Sequence, residues 1–256
     1  MKKRISLSFT LALSVFAVAL CAVAVFSGGS RRLPTDSEDS FACDAIIFAC
    51  KSGYMSCTSS PDGEALFLPE KTVTRAEFAA ILIEYLGINP DKYFRAETGI
   101  SDISDTPDEL IPYVKAVCAL GLMGTLRDNG KTYFMPLENV TREEGAYILG
   151  ALTGTVASGA GVDRFSDIDD TYLPYMQNVK TVISLGYMIG YPDGTFRPER
   201  DITRAELALT LYRIRQSGDK LNFYEHYEKG KRKIRRLEYY GRNGVNPRRA
   251  FLRKRT

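Results

Sequence analysis

The pattern Phe-x-Pro-x3-[Val/Ile]-Thr-Arg-x-Glu occurs three times in this chain, and no other feature restricts its fold as strongly. Phe67-Leu68-Pro69 leads to Val73-Thr74-Arg75-Ala76-Glu77. Phe134-Met135-Pro136 leads to Val140-Thr141-Arg142-Glu143-Glu144, and Phe196-Arg197-Pro198 leads to Ile202-Thr203-Arg204-Ala205-Glu206. Upstream of each stands a Gly-x-Met, at Gly53, Gly121 and Gly186. A turn signal lies in between: Pro61-Asp62-Gly63, Asp128-Asn129-Gly130 and Pro192-Asp193-Gly194. Ser101-Asp102-Ile103 and Ser166-Asp167-Ile168 each begin 20 residues before their glycine. Landmarks in one order, three times over, define a repeat of roughly 60–65 residues.

Each copy reads as helix, loop, helix. Apolar residues at three-to-four spacing predict a first helix over Leu110–Leu120 in copy two and Leu173–Leu185 in copy three, stopped by the glycine. The Phe-x-Pro segment is extended, because proline does not continue a helix. A second helix starts at Thr-Arg, with Thr74, Thr141 and Thr203 as N-caps. Glu77, Glu144 and Glu206 stand three residues on and complete capping boxes. The expected class is all-α, mainly helical with short extended loop segments. Three copies bury their apolar faces together around a pseudo-threefold axis.

Charge is unevenly spread over the 256 residues: 217–256 hold 13 Lys/Arg against 4 Asp/Glu, while the body carries a net −6. Lys2, Lys3 and Arg4 before an apolar run to Phe26 read as an export signal over 1–27, or as an uncleaved anchor, followed by a linker over 28–40. Copies are expected over 41–98, 99–160 and 161–216, with a basic tail over 217–256 whose Phe223, Tyr224, Tyr227, Tyr239 and Tyr240 interleave with Arg and Lys. That tail reads as a solvated segment with a short helix around 231–240 and a general attraction to anions, or as an arm that lies on anionic polymer or lipid headgroups; export argues against nucleic acid. The single histidine, His226, lies in the tail, and no CxxC, G-x-S-x-G or P-loop occurs. No metal, cofactor or catalytic role is therefore expected.

Copy three resembles an S-layer homology domain, whose marks are F-S-D, G-x-x-x-G-x-x-D-G-x-F-x-P and I-T-R-A-E. It shows Phe165-Ser166-Asp167, Gly186 to Gly190, Tyr191-Pro192-Asp193-Gly194-Thr195-Phe196-Arg197-Pro198 and Ile202-Thr203-Arg204-Ala205-Glu206. The resemblance extends over about 41–216, with copy one divergent: Asp36 or Asp39 stands in for its opening aspartate, and Ser56 and Cys57 take the glycine places. Tryptophan is absent, and Tyr113, Tyr172 and Tyr175 are placed to fill its space. The resemblance implies a three-lobed prism with first helices bundled at the centre. It also implies inter-repeat grooves that hold secondary cell-wall polysaccharide, often with pyruvylated sugars, and so attach proteins to the envelope.

Arg75, Arg142 and Arg204 each open a helix, where the macrodipole disfavours a cation by ~0.3–1 kcal/mol. Two readings stand. Each guanidinium shares a glycan carboxylate or phosphate with the helix-end amides, or each pairs with an acid of the neighbouring copy. Asp102, Asp167, Gly124 and Gly190 are the further candidates for glycan contact, set against roles in turns. The expected partners are an anionic cell-wall polysaccharide, peptidoglycan-linked polymers and envelope proteins, with membrane contact only through an uncleaved N-terminal segment. An envelope scaffold without strong glycan affinity is the alternative. Cys50 and Cys118, each three residues before its glycine, are a candidate disulfide if the first helices meet at the axis, or two small apolar core residues.

Overall fold

The computed structural model describes residues 33–219 and Leu221. The export segment over 1–27, the start of the linker and nearly all of the basic tail lie outside the described residues. Among the described residues the regular structure is mainly helical, as expected: α1 (Cys43–Ser52), α2 (Arg75–Tyr85), α3 (Ile111–Leu120), α4 (Arg142–Leu152), α5 (Leu173–Ser184) and α6 (Arg204–Gln216). Two small antiparallel hairpins, β1 (Thr58–Ser59) with β2 (Ala65–Leu66) and β3 (Leu126–Asp128) with β4 (Lys131–Tyr133), lie in the loops of copies one and two.

Local chemistry sets the ends of these elements. Thr74, Thr141 and Thr203 cap α2, α4 and α6 by accepting the N–H three residues on. α1 and α3 stop at Gly53 and Gly121, whose φ values of 84° and 67° suit a residue without a β-carbon. The β3–β4 turn uses Asn129 and Gly130 at φ 49° and 74°, the pair of positive angles that a two-residue hairpin turn requires.

Packing runs between copies. α2 packs on α3, α4 on α5, and α6 returns to α1. The second helix of each copy therefore pairs with the first helix of the next, and the last closes onto the first. Backbone hydrogen bonds close the same ring just before the second helices. Val140 N–H donates to Val73 O (2.9 Å), Ile202 N–H to Val140 O (2.9 Å), and Val73 N–H to Ile202 O (3.1 Å). Val73, Val140, Ile202 and the three motif phenylalanines are fully buried, each phenylalanine contributing ~1.5–3 kcal/mol.

First helices do not pack closely on one another among the described residues. This corrects the expectation of a central bundle of first helices, and with it the Cys50–Cys118 pairing. The Cys50 thiol instead lies 3.1 Å from the Cys57 thiol.

Candidate functional site

The helix starts of α2, α4 and α6 are where three loops meet three arginines. The backbone comes first. Arg75 N–H donates to Glu138 O (2.8 Å) and Ala76 N–H to Pro136 O (3.0 Å). Arg142 and Glu143 donate in the same way to Arg200 O and Pro198 O, and Arg204 and Ala205 to Lys71 O and Pro69 O. The third amide of each helix goes to its threonine cap. The N–H groups that a helix start leaves over are thus taken by carbonyls of the neighbouring copy's loop. This corrects the expectation that helix-end amides share an anion with the arginine.

The side chains follow the same rule. Each Nε donates to the carbonyl of a motif phenylalanine in the neighbouring copy: Arg75 to Phe134 (2.8 Å), Arg142 to Phe196 (2.9 Å), Arg204 to Phe67 (2.7 Å). Each Nη2 donates to the carbonyl three residues after the landmark glycine, at Gly124 (2.6 Å), Ile189 (3.1 Å) and Ser56 (2.6 Å). Each guanidinium also lies over a phenylalanine ring at 4.5–4.9 Å. A cluster of loop carbonyls outweighs the macrodipole, which is why a cation sits at a position helix electrostatics opposes.

The three arginines then divide. Arg75 is 0% exposed and its Nη1 pairs with Glu144; Arg142 is 3% exposed and its Nη1 lies 3.5 Å from Glu206. Buried charge of this kind persists only when paired. At these two positions the expectation of a glycan-facing guanidinium gives way to a clasp between copies. Arg204 is partly exposed, and among the described residues no carboxylate lies within 4.0 Å of it. The equivalent acid, Glu77, pairs with Lys71 at 2.6 Å instead. Burial would raise the Glu77 carboxyl, yet Lys71 and the Thr74 N–H hold it below its usual value. Burial likewise lowers Arg142 and Arg204 from the usual guanidinium value, leaving both charged at neutral pH.

Glu77 and Glu206 complete capping boxes, but Glu144 does not. Its carboxylate is turned to Arg75, so the expectation of a third box is corrected. Glu206 serves its own cap, Arg142, Arg200 and the Tyr191 hydroxyl together.

Asp102 and Asp167 are turn clamps. Asp102 accepts Phe134 N–H and Met135 N–H (both 2.8 Å), and Asp167 accepts Phe196 N–H and Arg197 N–H (both 2.7 Å). Asp36 does the same for Phe67 and Leu68, which settles the choice between Asp36 and Asp39. The clamped residues Leu68, Met135 and Arg197 have φ near 58°, 60° and 57°, a region that side chains disfavour. One charge-assisted bond to its own N–H and one to that of the preceding phenylalanine hold each of them there. Gly190 has its own packing reason: a β-carbon there would lie 2.1 Å from the Phe165 ring and 2.4 Å from Thr195 O. Phe165 fills the space that a side chain at this position would take. Gly124 supplies its carbonyl to Arg75.

Sequence reasoning passed over Glu143, which stands where copies one and three have Ala76 and Ala205. It is 1% exposed and accepts Tyr172 N–H at the start of α5 (2.8 Å). Burial, with the charge of Glu199 adding to it, pushes its carboxyl up to about 7 against the opposing Tyr172 N–H. A lone charge amid alanines was the available signal.

Residues 164–208 match the S-layer homology domain family. The chain carries an S-layer homology domain. Three similar proteins come from Acetivibrio thermocellus. Cell surface glycoprotein 1 is 30% identical over 193 residues, 72% of this chain and 8% of that protein. A cellulosome-anchoring protein is 31% identical over 158 residues, 60% of this chain and 34% of its own length. Exoglucanase XynX is 30% identical over 192 residues, 73% of this chain and 16% of its own. The chain thus spans about a third or less of these relatives. An S-layer homology domain with such relatives places the chain outside the cell, at the cell surface.

Proposed function

We propose that this protein attaches non-covalently to the bacterial cell envelope, by holding an anionic secondary cell-wall polysaccharide in a groove between copies of its motif. The carrying observation is Arg204, a partly exposed guanidinium with no acid within ion-pair distance among the described residues. Two of its nitrogens are spent on Phe67 O and Ser56 O, and its Nη1 has no hydrogen-bond partner among the described residues. A pyruvyl carboxylate or a polymer-linked phosphate suits that charge. In this reading three copies over 41–216 form the three-lobed arrangement of the family, without catalysis. Two of the inter-copy arginines hold it together and the third meets the ligand.

The second reading is an envelope scaffold that joins other proteins, and it is favoured by Arg75 and Arg142 being neutralised within the fold. Purified wall sacculi separate the two. Hydrofluoric acid strips accessory polymers from peptidoglycan, and the glycan reading expects retention of the protein to drop after stripping. Unchanged retention supports the scaffold.

A further inference from the structure

We propose that Cys50 and Cys57 form an intramolecular disulfide once the protein is outside the cell, and that this bond fixes the copy-one loop beneath Arg204. The inference is independent of any ligand. Cys50 lies in the last turn of α1 and Cys57 enters the loop just before β1, with their sulfurs 3.1 Å apart. A bond needs them about 1 Å closer, a shift that a side-chain rotation and an irregular loop supply. Export puts both into an oxidising setting.

The loop has a reason to need a staple. Cys57 follows its landmark glycine by four residues, as Gly190 follows Gly186. In copy three the Phe165 ring packs against Gly190 and holds that loop in place. Phe165 stands two residues before the clamp Asp167, and two residues before the clamp Asp36 the chain has Pro34. Copy one therefore lacks the aromatic ring at that position, and Cys57, beside Cys50, takes the place of the glycine on which the ring packs in copy three. Ser56, immediately before Cys57, gives its carbonyl to Arg204 Nη2 at 2.6 Å. Its neighbours Tyr54 and Met55 are buried. A Cys50–Cys57 bond ties this segment to the end of α1 and sets the position of the Ser56 carbonyl.

Formation runs by exchange with a small-molecule or protein disulfide. Burial and the adjoining Cys57 sulfur push the Cys50 thiol up to about 12, so the Cys57 thiolate is the first attacker. It breaks the oxidant's S–S bond, forms a mixed disulfide and releases one thiolate. Cys50 then gives up its proton and attacks the Cys57 sulfur, releasing the second thiolate. Two thiols of the protein lose two electrons and two protons, and the oxidant disulfide becomes two thiols.

The test is peptide mapping of the full chain after incubation with oxidised glutathione, alkylation under denaturing, non-reducing conditions, and proteolysis. The expected result is a Cys50–Cys57 linked peptide, with Tm falling by about 5–10 °C on reduction. The Cys57→Ser variant should show no Tm change on reduction. Alkylation of both Cys50 and Cys57 without a linked peptide overturns the proposal, as does a Cys50–Cys118 link.

Discussion

Replacing Arg75 by Met removes the cation from the most deeply buried of the three clasps while keeping much of the side-chain volume. Arg75 is 0% exposed, pairs with Glu144, and donates to the carbonyls of Phe134 and Gly124. Glu144 is itself 4% exposed, so the variant leaves a carboxylate buried without its cation. Breaking one side of such a pair costs ~3–5 kcal/mol. That is a large part of the ~5–15 kcal/mol by which a domain is stable, and it corresponds to a Tm drop of roughly 6–20 °C. Urea unfolding followed by far-UV circular dichroism measures it, with the slope unchanged so that midpoints compare directly. Adding Glu144→Leu to Arg75→Met takes away the stranded charge and should recover at least ~2 kcal/mol, a coupling that a double-mutant cycle isolates. A loss under ~1 kcal/mol for Arg75→Met, or no recovery in the double variant, refutes the clasp.

Glu143→Gln should be more stable than wild type above neutral pH and equal to it near pH 4. The folded carboxyl sits at about 7 against 4.5 ordinarily. Wild-type stability is therefore full below about 4.5 and is lost as pH rises through 7, with ~3 kcal/mol as the upper figure at ~1.4 kcal/mol per pH unit. A Tm difference that stays flat from pH 4 to 8 contradicts this. Asp102→Asn leaves one oxygen for the two amides of Phe134 and Met135 and should cost ~1.5–3 kcal/mol in chemical denaturation. Gly190→Ala drives a methyl into Phe165 and should cost ~1–3 kcal/mol or more in the same assay; a neutral effect refutes the packing role.

The helices and their ends were legible because threonine caps, glycine stops and apolar spacing are all local signals. The recurrence of Phe-x-Pro seven residues before the Thr caps gave the register of the whole array. What spacing does not carry is direction between copies. Arg75 is in copy one by sequence but spends its donors on copy two, and only the packing of α2 on α3 reveals this. The same limit hid the aspartate clamps, since Asp102 and Phe134 are 32 residues apart. The Arg Nη2 contact has no side-chain signal at all, because it needs only a backbone carbonyl; Gly124, Ile189 and Ser56 supply it equally. The cysteine pairing failed with the assumption that first helices meet.

Arg204 offers the most direct measurement. Arg204→Glu protein, shown by circular dichroism to remain folded, should lose most of its retention on untreated wall sacculi, ten-fold or more against wild type at equal concentration. Folded Arg204→Glu protein that sediments with those walls as well as wild type contradicts an anion-holding groove at this position.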